Sequence, residues 1–312
     1  MKIINIVQIS LKREFIIIKS NIKSFKNLYP EFKLKFKLIC PKKDIKYFEK
    51  IENKDVEIIS EDNLINKKQF RKIFLSYNSK SNSIIKRRVN WYYSQCLKII
   101  YILKNYKKNN ILWESDSILI KKINFFNENK KSSVNYGNLY EFHQPYYNTN
   151  KIILKKLPNK FISGLNLFSA ITIGENRFIK KKLEQYVPKY KMNIGRWIAH
   201  IIAKSILESK IINKSLFADY ELLNISKMLR NTKKQKIIKF FRIYLQGALN
   251  KNQIKLLKIL NYKFITYEYY HRKIEKFTEF IKIRQPWYEL TKIIALQEIK
   301  LLKKYLKFIF TK

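Results

Sequence analysis

Near the amino terminus, short apolar runs alternate with a segment of helical spacing, and this order constrains the fold more than any other feature. Residues 3–9, 34–39 and 56–59 have the apolar, partly alternating character of strands, whereas residues 13–28 place apolar side chains at helical spacing. A strand–helix–strand order of this kind predicts a doubly wound α/β sheet with parallel strands. Such sheets bind their ligands at the carboxyl ends of the strands.

A further apolar run, residues 111–113, is followed directly by two carboxylates, Glu114 and Asp116, with Ser115 between them. In an extended chain, residues two apart point to the same side, so both carboxylates are expected to face one pocket. A hard divalent cation that carries a phosphate would offset the repulsion between them. A strand that simply ends in a polar turn would also account for the pattern.

Several later segments have helical or strand character. Residues 91–106 predict a helix on which Gln95 and Lys98, three apart, share a face. The aromatic segment 140–147 has no helical period and predicts a loop that stacks on a sugar ring or packs against the body of the protein. Residues 289–310 predict an amphipathic basic helix, for which core packing and membrane contact are both open.

The composition limits the kinds of partner and site. A net charge of +43 is compatible with an anionic membrane surface or with nucleic acid, but the lysines are spread along the whole chain, as a biased base composition alone would produce. Two cysteines and three histidines give neither a disulfide framework nor a zinc motif. The chain also has no glycine-rich dinucleotide or P-loop motif. We expect a soluble protein in the reducing cytoplasm, or one bound peripherally to the inner face of the membrane.

The order of several segments resembles that of a known protein family. The segments are WYYSQCLK, ILWESDSIL, EFHQPYY, AITIGEN and ADYELL. In this order they are similar to an uncharacterised bacterial family with a GT-A-type nucleotide-diphospho-sugar transferase fold, the fold of many metal-dependent glycosyltransferases. The resemblance extends from about residue 3 to residue 271.

The resemblance implies an α/β fold with a Rossmann-like mixed sheet flanked by helices and a helical C-terminal portion. It implies a GT-A-like domain over residues 1–275, with residues 276–312 as an amphipathic basic segment packed on it. Its site residues fall into three groups by implied role. They are Asp219 and Glu221 as candidate catalytic bases, Glu14, Gln95, Lys98 and Glu114 as contacts to the nucleotide sugar, and Asp116 and His271 as metal ligands.

The function implied by the resemblance is a metal-dependent glycosyltransferase. It would use manganese or magnesium to move a sugar from a nucleotide-sugar donor to a glycan or lipid-linked acceptor, in cell-surface polysaccharide synthesis. Glu114 stands where the family has Asp, which keeps a non-catalytic transferase fold open. A basic nucleic-acid-binding protein and a metal-dependent phosphodiesterase also stay open, and the sequence favours nucleic acid least.

Overall fold

Five strands form the central sheet, four of them parallel. The structure, a computed structural model, describes residues 3–78, 86–126, 135–136, 143–157, 168–210, 215–230, 236–237, 239–243, 248–267 and 286–310. The strands are β1 (Ile3–Ile9), β2 (Lys33–Cys40), β3 (Val56–Ser60), β4 (Asn110–Trp113) and, after two short strands, β7 (Phe168–Ile171). Their order is β3-β2-β1-β4-β7, and β7 alone runs antiparallel to its neighbour.

Apolar clusters cover both faces of this sheet. Ile4 and Ile6 of β1 belong to one apolar cluster, together with Phe25 of the first helix. Val7 of the same strand belongs to a second cluster, on the opposite face. Because successive side chains of a strand point to opposite faces, a strand that is apolar throughout requires cover on both sides.

Helices provide this cover. They are α1 (Phe15–Leu28), α2 (Ile45–Phe48), α3 (Lys67–Tyr77), α4 (Val89–Lys104), α5 (Gln144–Leu154), α6 (Ile173–Tyr186), α7 (Ile194–Glu208), α8 (Asp219–Arg230), α9 (Lys251–Ile259) and α10 (Trp287–Phe310). The α/β class and the mixed sheet flanked by helices, as predicted from the sequence, are therefore confirmed.

A smaller sheet packs against the central one, since its Phe240 and Phe264 share the first apolar cluster. It joins β5 (Ser117–Leu119), β10 (Phe264–Tyr267) and β9 (Phe240–Ile243), and a two-residue pair joins β6 (Asn135–Tyr136) to β8 (Lys236–Ile237). Helix α10 packs on the smaller sheet, since its Leu290 and Ile294 share a cluster with Phe241 and Ile265. The predicted domain boundary after residue 275 lies outside the described residues.

The prediction of a loop over residues 140–147 is wrong for its described part. Residues 140–142 lie outside the described residues, but α5 begins at Gln144 and includes Pro145, Tyr146 and Tyr147. Proline is favoured in the first turn of a helix, where its missing N–H costs no hydrogen bond. The proline therefore begins this helix rather than interrupting it.

None of the described helices combines the length and the apolar composition that crossing a membrane would require.

Candidate functional site

A pocket of about 650 Å³ opens at the carboxyl ends of the parallel strands. It lies beside the point where the strand order changes direction, between β1 and β4. Residues that follow β1, β2, β3 and β4 all reach its wall. The wall is formed mainly by acidic, basic and aromatic side chains, which are Glu14, Glu61, Glu114, Asp116, Glu221, Arg13, Lys67, Arg88, Lys98, Trp91, Tyr93, Tyr146 and Tyr220. In open α/β sheets this crevice is the general site of ligand binding.

The acidic pair lies in a turn rather than on the strand. Strand β4 ends at Trp113, and the backbone N–H of Ser117 donates to the carbonyl of Glu114 over 3.2 Å, which closes a turn. Alternation along a strand therefore does not explain where these side chains point. Glu114, Ser115 and Asp116 all line the pocket.

Lys98 of α4 joins the acidic pair to the protein interior. Its side chain is 2% exposed, and its Nζ lies 2.8 Å from Glu114 Oε1 and 3.5 Å from Asp219 Oδ2. The same nitrogen donates to the hydroxyl of Tyr220 over 3.0 Å. The ammonium thus has oxygen partners from the turn after β4 and from the start of α8.

Burial and neighbouring charges have opposite effects on the pKa values in this cluster. Burial alone would lower the pKa of Lys98, but the carboxylates of Asp219 and Glu114 hold that pKa above its usual value, so the lysine stays protonated. Burial raises the pKa of Asp219 to about 6, against the opposing effect of Lys98. At neutral pH Lys98 and Asp219 therefore form a buried ion pair.

The second acidic pair occupies the first turn of α8, where its two members have different surroundings. Asp219 is fully buried and does not line the pocket, whereas Glu221 does. Residues two apart on a helix do not share a face, which accounts for the difference. Gln95 accepts a hydrogen bond from the backbone N–H of Asp219 at 3.1 Å, so its carbonyl oxygen contacts the start of α8.

Glu14 connects two loops at the pocket. Its Oε2 accepts a 2.6 Å hydrogen bond from the hydroxyl of Ser115 and a 3.2 Å bond from the backbone N–H of Leu11. Burial raises the pKa of Glu14, and the hydrogen bond from Ser115 and the charge of Arg13 oppose this rise. Glu14 therefore holds the loop after β1 against the turn after β4.

Three basic side chains of the wall, Arg13, Lys67 and Arg88, were not predicted from the sequence. Basic residues are so abundant in this chain that no local pattern distinguishes them. Trp91 was also not assigned to the site, whereas Tyr146 belongs to the aromatic segment for which sugar stacking was left open. Their rings stack with centroids 6.0 Å apart and an angle of 19° between their planes. Only the fold brings Trp91 of α4 next to Tyr146 of α5.

The oxygen donors near the turn fit a metal ion that arrives with a phosphate ligand. Asp116 and Glu114 both line the pocket, although one oxygen of Glu114 is paired with Lys98. Magnesium is commonly held by one or two carboxylates together with substrate phosphates. The described residues contain no group of three or more His, Cys, Asp or Glu that could hold a metal by themselves, and His271 lies outside them.

Neither a protein-family model nor a curated protein sequence matches this chain. Among solved structures, the chain is similar to the galactosyltransferase LgtC in complex with donor and acceptor sugar analogs, at 10% identity over 94% of this chain and 100% of that one, with a TM-score of 0.40. Mouse xyloside xylosyltransferase 1 matches at 9% identity over 85% and 96%, with a TM-score of 0.37. PaToxG glycosyltransferase matches at 14% identity over 73% and 76%, with a TM-score of 0.28.

Proposed function

We propose that this protein is a glycosyltransferase of GT-A type that takes a sugar from a nucleotide-sugar donor. One observation carries the proposal: an acidic turn and several basic side chains face one large pocket at the carboxyl ends of the parallel strands, where the strand order reverses. A nucleoside diphosphate carries two negatively charged phosphates next to a polar sugar. The mixed charge of the pocket suits such a ligand.

The donor diphosphate would lie near Asp116. A manganese or magnesium ion bound there together with the phosphates would supply positive charge to the departing diphosphate. Arg13, Lys67 and Arg88 line the same pocket and can pair with phosphate oxygens. Lys98 is a weaker candidate for that role, because its ammonium is already shared by Glu114, Asp219 and Tyr220.

Glu221 is the better placed of the two candidate bases, since it lines the pocket and Asp219 does not. For transfer with inversion, the oxygen of an acceptor hydroxyl bonds to the anomeric carbon as its proton passes to the Glu221 carboxylate. The bond from the anomeric carbon to the diphosphate breaks, and its electron pair leaves with the diphosphate. A general base of this kind contributes about 10²–10⁴-fold to the rate.

Three further site residues predicted from the sequence would act by positioning. Lys98 fixes one oxygen of Glu114, Gln95 fixes the start of α8, and Glu14 fixes Ser115 within the acidic turn. Each contact holds a segment of the pocket wall in place. We propose that the acceptor is a glycan or a lipid-linked sugar, as in cell-surface polysaccharide synthesis, with the enzyme at the cytoplasmic side of the membrane.

A thermal-shift series with UDP, GDP and CMP, each with and without manganese, tests the proposal. We expect at least one nucleotide to raise the melting temperature, more so with manganese, and Asp116→Asn to remove the manganese-dependent part. Asp55→Asn makes the same chemical change near the amino end of β3, away from the pocket, and should leave the response intact. Absence of any metal-dependent nucleotide response in the wild type would contradict the proposal, and stabilisation by DNA or RNA alone would favour nucleic-acid binding.

A further inference from the structure

Helix α10 has an apolar stripe that stays exposed in the part of the chain that the structure describes. Its Leu290, Ile294 and Gln297 are buried against the smaller sheet. On the opposite side, large apolar side chains recur at helical spacing, each about half exposed or more, and these are Tyr288, Leu296, Ile299 and Leu302. Trp287, 47% exposed, begins the helix on the side of the buried Leu290 and Ile294, three and seven residues further on. Four large apolar side chains on one side of a helix form a larger exposed apolar surface than the single exposed residues of an ordinary protein surface.

The charge around the stripe indicates what could cover it. Lys292 and Lys303 are exposed on the same side of the helix, and the helix sequence contains five lysines against two glutamates. One of those glutamates, Glu298, pairs with Lys239 at 2.7 Å. The exposed side of α10 is therefore apolar and basic together.

An anionic lipid surface fits both properties. A helix with apolar residues on one face and lysines beside them lies in the plane of the membrane interface and is attracted to anionic lipids. A second copy of this chain would bring another net charge of +43 against the first and would be repelled. Nucleic acid would pair with the lysines but offers no hydrocarbon for Leu296, Ile299 and Leu302.

We propose that the exposed stripe of α10 docks this protein on anionic phospholipid membranes. Leu296, Ile299 and Leu302 enter the boundary between headgroups and acyl chains, and Lys292 and Lys303 contact the headgroups. Tyr288, on the stripe near the start of α10, lies at the level of the headgroups, where amphipathic aromatic side chains are favoured. The proposal does not depend on the sugar-transfer function, because it concerns a different surface.

Co-sedimentation with vesicles of phosphatidylglycerol or phosphatidylcholine tests this docking. We expect the wild type to bind phosphatidylglycerol vesicles and the double variant Leu296→Glu/Ile299→Glu to bind them at least about tenfold more weakly. The matched control is Leu207→Glu/Ile259→Glu, which changes two apolar residues on α7 and α9 that are at least as exposed, and it should bind within about twofold of the wild type. Circular dichroism establishes that all variants are folded.

A second variant, Lys292→Glu/Lys303→Glu, keeps the apolar stripe and should lose affinity chiefly at low salt, because about 1 M salt screens surface charges beyond about 3 Å. The proposal is overturned if the wild type does not bind phosphatidylglycerol vesicles. It is equally overturned if the control variant loses as much affinity as Leu296→Glu/Ile299→Glu. It is also overturned if sedimentation shows a wild-type dimer that Leu296→Glu/Ile299→Glu converts to a monomer, since the stripe would then be a contact between copies.

Discussion

Lys98 Nζ lies 2.8 Å from Glu114 Oε1, and this contact ties the acidic turn of the pocket to a buried charge cluster. The same ammonium reaches Asp219, so one lysine holds the turn after β4 and the start of α8 together. A buried charge is costly unless it is paired, and a cluster of this kind makes each member depend on the others. Changes at Lys98 should therefore affect stability and the pocket together.

We expect Lys98→Met to lower the free energy of unfolding by about 3–5 kcal/mol, because it removes the cation that pairs with the buried carboxylate of Asp219. Urea unfolding measures this loss. Lys104→Met is the matched control on the same helix, since the Lys104 ammonium donates to the carbonyl of Asn63 in an exposed position. The control should change stability by less than about 0.5 kcal/mol.

The double variant Lys98→Met/Asp219→Asn separates the lost ion pair from the lost packing. Asp219→Asn removes the carboxylate that Lys98→Met leaves unpaired. The double variant should therefore recover part of the free energy of unfolding that Lys98→Met loses, as expected for residues in direct contact. If the two single effects simply add, the contact between Lys98 and Asp219 is not an energetic unit.

The pH dependence of stability should contain a contribution from Asp219. Burial raises its pKa from the ordinary 3.8 to about 6, so between these values the folded protein holds a proton that the unfolded chain has released. Stability therefore falls as pH rises through this window, by about 3 kcal/mol for this group. The free energy of unfolding of the wild type, taken relative to Asp219→Asn, should decrease from pH 4 to pH 6, and a flat difference would show that the pKa of Asp219 is not raised.

Replacing the candidate base should affect turnover without affecting donor binding. We expect Glu221→Gln to lower kcat by about 10²–10⁴-fold and to leave the nucleotide-induced melting shift unchanged. Glu208→Gln, on α7 and away from the pocket, controls for the loss of a carboxylate as such. Turnover of Glu221→Gln within a few-fold of the wild type would remove Glu221 as the base.

The sequence predicted the four parallel strands of the central sheet and the acidic strand end, because both depend on local patterns. β1 and β4 are buried almost throughout and therefore appear as apolar runs, whereas β2 alternates between buried and more exposed residues. The contrast between Asp219 and Glu221 could not be predicted in this way. Their spacing suggests a shared face only if the segment is extended, and tertiary packing makes it the first turn of a helix.

The role of Lys98 was also beyond local patterns. Its spacing from Gln95 correctly placed both residues on one face of α4. Nothing near Lys98 in the sequence indicates that Asp219, 121 residues later, would become its ion-pair partner. A pairing between residues so far apart in the chain depends on how α4 and α8 pack. No local pattern in a single sequence predicts that packing.

Two glycines at matching positions provide a test of how the fold supports the pocket. Gly195 and Gly174 are each the second residue of a helix, α7 and α6. A Cβ at Gly195 would lie 2.5 Å from the backbone carbonyl oxygen of Leu64, whereas the nearest atoms to one at Gly174 belong to the guanidinium of Arg230, which is exposed and can move. Backbone cannot give way as a flexible side chain can.

We expect Gly195→Ala to destabilise the protein by about 1–3 kcal/mol and Gly174→Ala to be neutral or slightly stabilising. The displaced segment includes Ile65, whose carbonyl accepts a 2.8 Å hydrogen bond from the hydroxyl of Tyr93, a residue of the pocket wall. Gly195→Ala should therefore also weaken the nucleotide-induced melting shift, and Gly174→Ala should not. Equal stability of the two variants in urea unfolding would show that the contact between Gly195 and Leu64 does not constrain the fold.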